Sequence, residues 1–300
     1  MNAAAPSRGI DESPWARLYR EFSESPLAVG GLAVCVVIAL AALLAPLVSP
    51  QNPYDLAQLN IMDGRLPPGA HPQGGITYWL GTDDQGRDML SAILFGLRIS
   101  LLVGVGSAAV ASMMGTALGL IAAYVGGRTE TLLMRLVDLQ LSFPAILVAL
   151  MILAFLGKGV GNVMLALVIV GWAGYARTAR GAALVERRRE YIEAAECLAL
   201  PRWRVIFRHL LPNCLPPLIV IATIHVARAI TLEATLSFLG LGVPITEPSL
   251  GLLIANGYQY LLSGDYWISF YPGIALVITV VAINLVGDQL RDVLNPRLQR

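Results

Sequence analysis

Long uncharged apolar runs alternate with short polar stretches along this chain. A hydrocarbon layer about 30 Å thick takes roughly 20 helical residues to cross. Six runs qualify as crossings: Leu27 to Val48, Ile99 to Val125, Leu132 to Leu156, Val160 to Ala176, Leu215 to Leu241 and Trp267 to Val286. The third is broken by Pro144, and the fourth is short. Lipid offers the backbone no hydrogen-bond partner, so each run predicts a helix. None alternates with period two, as a barrel strand would. The first run is longer than the apolar stretch of ~7–15 residues in a secretory leader and lacks a small-residue cleavage site, so it reads as a retained span.

Composition strengthens this picture. Of 300 residues, 56% are hydrophobic before the 29 glycines are counted, and 14% are charged. Soluble domains sit near ~45–50% apolar with glycine included, and near ~25% charged. Mean hydropathy is +0.66. A soluble enzyme, a disordered tail and a collagen-like fibre are excluded. A net charge of +1 without a polybasic tail argues against binding nucleic acid. Cys35, Cys197 and Cys214 form neither a disulfide framework nor a zinc spacing. The fold class expected is an all-α membrane protein with six transmembrane helices.

Basic residues set the expected orientation. Sixteen lie on the side that holds both termini and four on the other, with Arg228 inside a span. The positive-inside rule then puts the termini in the cytoplasm of a cell-membrane protein. The chain divides into a cytoplasmic segment 1–26, the first span, an external segment 49–98 and a five-helix core 99–290. A second external loop, Gly242 to Tyr266, has no basic residue, and a tail covers 291–300.

The cytoplasmic loop 177–213 is helical in pattern. Tyr191 to Glu196 favours helix, and Pro201 suits the bend and first turn of a second helix. Trp203, Ile206, Phe207 and Leu210 then recur as one apolar stripe, and Pro212 is expected to end that helix before the fifth span. Such a pair either rests on the anionic inner leaflet or docks a protein. Ala194 and Ala195 favour docking by permitting close approach, and Glu193 offers a carboxylate to a basic partner.

The stretch Glu193 to Pro212 resembles the EAA loop of ATP-binding-cassette importer permeases: E-A-A, three residues, G, nine residues, I-x-L-P. Glu193, Ala194, Ala195, Leu211 and Pro212 match; Ala199 replaces the glycine and His209 the isoleucine. Gly81-Thr82-Asp83-Asp84-Gln85-Gly86-Arg87-Asp88 and Arg98 to Gly104 resemble signatures of the dipeptide/oligopeptide/nickel group. So do Met134 to Asp138 with Phe143-Pro144, Leu236 to Gly242, Asn284 to Asp292, and Asn295-Pro296-Arg297. Leu250 stands where the group usually has tryptophan. The extra first span and long external segment are similar to the C-type subunit, and the likeness covers about residues 15–298.

The resemblance implies a type I importer transmembrane domain, and several partners with it. These are a homologous B-type permease subunit, one or two cytoplasmic ATPase subunits that use ATP-Mg, and an extracytoplasmic substrate-binding protein. The loop residues Tyr191, Glu193, Ala194, Ala195, Ala199, Pro201, Trp203, Phe207, Leu211 and Pro212 would dock the ATPase. Di- or oligopeptides are the implied cargo, with nickel chelates, glutathione or opines equally compatible. The chain is expected to bind no cofactor and to catalyse nothing: it has no phosphate-binding G-x-x-x-x-G-K-[ST] sequence.

Other residues invite separate readings. Asp83, Asp84 and Asp88 do not have calcium-loop spacing, so no metal is expected; Asp83, Asp84, Arg87 and Leu250 are candidates to face the receptor protein. His225, Arg228 and Glu233 lie inside the fifth span, where a charge costs ~2.5–3.5 kcal/mol on insertion scales. His225 and Arg228 share a helix face and are candidates for the translocation path with Glu233; Arg228 alternatively pairs with an acid on the neighbouring permease subunit. Arg135 and Asp138 are expected to pair locally. Gly115 and Gly119 predict a close helix contact. A secondary transporter driven by an ion gradient is the competing class; it would be expected to carry inverted repeats and an acid-lined relay. A membrane scaffold without transport is a third.

Overall fold

A computed structural model describes residues 14–55, 59–72, 75–244 and 246–294. Among these the chain is helical, with two isolated backbone bridges, Ala70–Tyr78 and Thr82–Asp88, and no strand. Arg8, the motif Asn295-Pro296-Arg297 and the tail beyond Leu294 lie outside the described residues. Five helices are long and apolar enough to cross a membrane; a bent pair around Pro144 makes up to six.

The chain enters through α1 (Pro14–Ser23) and α2 (Pro26–Leu43). Ser25 caps α2 by accepting from the Ala28 amide, and Pro26 fills a first-turn position that needs no amide donor. The run to Val48 is not one helix. It breaks at Leu44, and α3 (Ala45–Val48) carries Pro46 in its first turn.

The expected start of the second span at Ile99 is corrected. Helix α4 runs from Met89 to Val125, 37 residues or about 55 Å. Its start is set by Asp88, whose carboxylate accepts from the Ser91 amide at 2.8 Å and hydroxyl at 2.6 Å. Arg98, read as the end of a loop, is an exposed residue well inside this helix.

The third run is also corrected. It consists of α5 (Gly127–Ser142) and α6 (Ala145–Leu156), bent by 91°. Proline has no amide donor and disfavours helix at the residue before it, and Phe143 is extended at φ −93°, ψ 142°. Helix α7 (Val160–Glu186) passes Ala176 and takes in Arg177 and Arg180, so the short fourth span was cut at charges that remain helical. Those charges meet α5: Arg177 pairs with Asp138 at 2.5 Å and Arg180 with Glu130 at 2.5 Å. Asp138 therefore pairs across helices and not with Arg135.

After α7 come α8 (Glu190–Cys197), the short turn α9 (Arg202–Arg204), a π-helical run Val205–Leu210 and α10 (Leu211–Phe238). Pro212 does not end a helix here. The wide π turns precede it, with the Leu211 amide reaching back to the Ile206 carbonyl, and the run Arg202–Phe238 continues as one span. The Asn213 side chain donates to the His209 carbonyl at 2.7 Å. Helix α11 (Leu250–Tyr258), capped by Ser249, leads to α12 (Trp267–Val293).

Helices α4 and α7 form the centre of the bundle. A side chain on Gly115 would strike the Trp172 carbonyl and Tyr175, and one on Gly119 the Ala176 carbonyl and Ala179. The small-residue step expected at this pair thus lets two backbones touch. Helix α2 packs at the periphery on α12, with Gly31 against Leu285, and leaves Leu27, Val37 and Leu43 exposed, as a lipid-facing span does.

Candidate functional site

Three places carry the residues that sequence singled out: the α8–α10 connection, the middle of α10, and the segment before α4. At the first, Ile192, Ala195, Val205 and Leu210 are buried with Cys214 and Leu218 against Ala179, Ala183 and Leu120. That anchors the paired helices to the ends of α4, α7 and α10. Arg187 closes the junction: it donates to the Ala123 carbonyl at 3.0 Å and lies over the Tyr124 ring. A cation there suits the carbonyl end of α4.

The bend is corrected. Pro201 does not make it alone; Ala199 holds φ +51°, the left-handed region that glycine usually occupies. Leu200 donates back to the Ala195 carbonyl at 3.2 Å, the six-residue closure of a helix C-terminus, and its side chain packs on the same core. Alanine therefore adopts the conformation for which the family pattern has glycine, at a cost on the order of 1 kcal/mol.

The single apolar stripe also splits. The π turns rotate the register, so Val205 and Leu210 point inward while Trp203 and Phe207 are each 62% exposed. Leu198 at 75% exposed, Glu193 and Ala194 are exposed on the same connection, which thus offers apolar side chains and a carboxylate to the outside. Of the two motif alanines, Ala195 packs inward and Ala194 faces out. Tyr191 donates to Glu186 at 2.7 Å, and partial burial together with that carboxylate pushes its phenol up to about 12. Leu211 and Pro212 begin α10 and belong to its shaft.

In α10 the structure separates three residues that sequence grouped. His225 is half-buried, its ring 4.5 Å from that of Tyr175 on α7. Arg228 is exposed in a groove of about 500 Å³ between α10, α12 and the start of α6. Glu233 is fully buried, accepting from Ser237 at 2.7 Å and Ser100 at 3.0 Å, and so joins α10 to α4. A place for Glu233 in a translocation path is corrected: no surface of it is accessible.

The segment before α4 is a closed polar knot. Arg87 donates to Asp83 at 2.6 Å, both fully buried, and the amides of Gln85 and Arg87 donate to the same carboxylate at 2.9 Å. The Thr82 hydroxyl donates to the Asp63 carbonyl at 2.5 Å and accepts from the Leu66 amide at 2.8 Å, while the Trp267 indole donates to the Thr82 carbonyl at 3.1 Å. Asp83 and Arg87 thus do not face a receptor. Neither does Leu250, buried against Met89, Ile93 and Leu97 of α4. Asp84 alone of the four is partly exposed; burial, then the neighbouring Asp83, raises its carboxyl. Sequence reasoning missed Gln51, which accepts from the Asp88 amide at 2.7 Å across 37 residues, and no local pattern announces such a contact.

Comparison with known proteins places this geometry. Residues 115–300 match the family model for the binding-protein-dependent transport system inner membrane component. Residues 13–68 match the N-terminal TM domain of oligopeptide transport permease C. The di/tripeptide transport system permease protein DppC of Pseudomonas aeruginosa (strain UCBPP-PA14) is 38% identical over 96% of this chain and 93% of its own. The dipeptide transport system permease protein DppC of Bacillus subtilis (strain 168) is 34% identical over 98% of this chain and 88% of its own. The fold also matches a chain of the MetNI methionine ABC transporter in an inward-facing conformation, with TM-score 0.56 and 21% identity, covering 69% of this chain and 98% of that one. The chain is therefore a multi-pass membrane protein with the transmembrane fold of that importer, and it belongs to the family of binding-protein-dependent transport system inner membrane components.

Proposed function

We propose that this chain is the C-type permease subunit of an ATP-binding-cassette importer for di- or oligopeptides. The observation that carries the reading is the set of exposed apolar residues on the connection between α7 and α10, at one end of a long, otherwise lipid-compatible bundle. Exposed Trp203, Phe207 and Leu198 around Ala194 and Glu193 are what a cytoplasmic ATPase subunit would grip. Motion received there passes directly into α10, because the run Arg202–Phe238 has no loop in it. The relatives named as dipeptide or di/tripeptide permeases support the cargo class. ATP-Mg is bound and hydrolysed by the partner.

The remaining assembly follows from the same reading. The basic residues around α7, α8 and α9 put that end in the cytoplasm, with the polar knot before α4 on the outer face. There a substrate-binding protein delivers cargo, and a homologous B-type subunit completes the pathway. The test is uptake of a labelled dipeptide by proteoliposomes holding both permease subunits, the ATPase and the binding protein. Uptake should require ATP. Uptake that persists without ATP when a proton gradient is imposed would falsify the reading in favour of a secondary transporter.

A further inference from the structure

Arg228 lies ten residues before the end of α10 at Phe238, and Asn284 lies nine before the end of α12 at Val293. Both are exposed, and both line the groove of about 500 Å³ whose other walls are Ala145, Ile224, Ala227, Thr231, Leu232 and Val280. No acidic residue lines that groove. No carboxylate pairs with Arg228, and Asn284 makes no hydrogen bond, among the described residues. The Thr231 hydroxyl is already spent on the Ala227 carbonyl at 2.9 Å. Two free polar heads on facing helices thus share an apolar trough within membrane-spanning segments.

A guanidinium and an amide left bare in lipid are costly, so this trough belongs on a water-filled path, where the guanidinium favours an anionic occupant. The occupant's chemistry follows from the donors. A guanidinium fork matches a carboxylate, and an amide beside it can both donate to and accept from a peptide bond. The volume falls within the ~300–1,000 Å³ of small-molecule sites, and the aliphatic walls accept side chains of varied shape. A single acidic side chain from another subunit would leave most of that space unfilled.

We propose that the Arg228–Asn284 groove is a transient site for the C-terminal carboxylate of a short peptide crossing the membrane. The inference rests on the peptide-import reading above and adds the residues that receive the cargo. His225, directed at Tyr175, and Glu233, sealed between α4 and α10, take no part.

The experiment uses the complete transporter with its receptor in proteoliposomes, with ATP and dialanine as probe. Arg228→Gln is expected to lower kcat/KM for uptake about tenfold, the loss of one charge-assisted contact, with Arg228→Lys keeping most of the rate. The purified Arg228→Gln complex should retain its homologous permease subunit. Dialanine with ATP should also slow alkylation of the thiol introduced by Thr231→Cys, and Arg228→Gln should abolish that protection. Undiminished uptake, or protection that survives Arg228→Gln, overturns the proposal. Loss of the homologous subunit overturns it as well, because Arg228 then serves a pair between subunits. Should the unmodified transporter carry no peptide of any kind, the functional reading itself fails, and that result needs no variant.

Discussion

The knot before α4 and the paired helices after α7 stand at opposite ends of the bundle and treat their conspicuous residues in opposite ways. At the first, charged side chains are turned inward and paired: Asp83 and Arg87 are buried together, and backbone amides add to the carboxylate's partners. At the second, large apolar side chains are turned outward and mostly exposed, Trp203 with the Arg204 guanidinium over its ring. Buried charges that satisfy each other hold a shape. Exposed apolar groups in a cluster await a second surface. A loop of charges thus proved structural, while the amphipathic connection has the form of an interface.

Breaking the knot gives the largest expected effect. Arg87→Ala strands a buried carboxylate and should cost about 3–5 kcal/mol, read as a loss of thermal stability of the solubilised protein. Asp83→Leu with Arg87→Met should cost far less, since it removes both charges together. Equal losses from the single and double changes would mean that the pair is not what the knot depends on.

The paired helices should respond in the opposite sense. Trp203→Ala with Phe207→Ala leaves thermal stability within about 0.5 kcal/mol, because both residues are exposed. The same change should weaken ATPase-subunit binding by about 2 kcal/mol or more, roughly thirtyfold, measured by titration of the purified ATPase. A drop in stability without a change in affinity would move these residues from the interface to the core. Glu193→Lys should weaken the same binding by about tenfold and change its salt dependence, and a salt-independent loss would rule out a charge contact. The smallest effect is a gain. Ala199→Gly relieves the left-handed strain at φ +51° and should stabilise the protein by up to about 1 kcal/mol, visible as a raised melting temperature.

The spans were legible because their signal is redundant: any twenty apolar residues in a row leave few alternatives to helix. Their ends were not. Met89 begins α4 because Asp88 caps it, but Arg98 masked the continuity, and Arg177 and Arg180 hid the last turns of α7 for the same reason. Charge in a helix near the membrane edge reads like loop until its partner is known, and Glu130 and Asp138 lie dozens of residues away. The motif glycine's replacement by Ala199 suggested a different bend, because composition does not show that tertiary packing can impose φ > 0 on alanine. Trp203 and Phe207 are exposed, as a docking role requires, but they do not share one stripe with Leu210, which points inward. A helical period of 3.6 was assumed where π turns shift the phase. Arg228 stood out at once, since an isolated cation among apolar residues has no local explanation. Its companion Asn284 belongs to a helix 56 positions later, and the motif that begins there gives no sign that the two share a groove.

The unbroken run from Arg202 to Phe238 has a mechanical consequence. A rod transmits displacement without attenuation except where it can yield. Pro216 and Pro217 remove the amide donors that the Pro212 and Asn213 carbonyls would otherwise receive, so compliance is concentrated in one short collar just above the wide turns. Below the collar the lever is fastened by Val205 and Leu210; above it, Glu233 is clamped to Ser100. A push at the lower end therefore emerges as tilting about a single fulcrum.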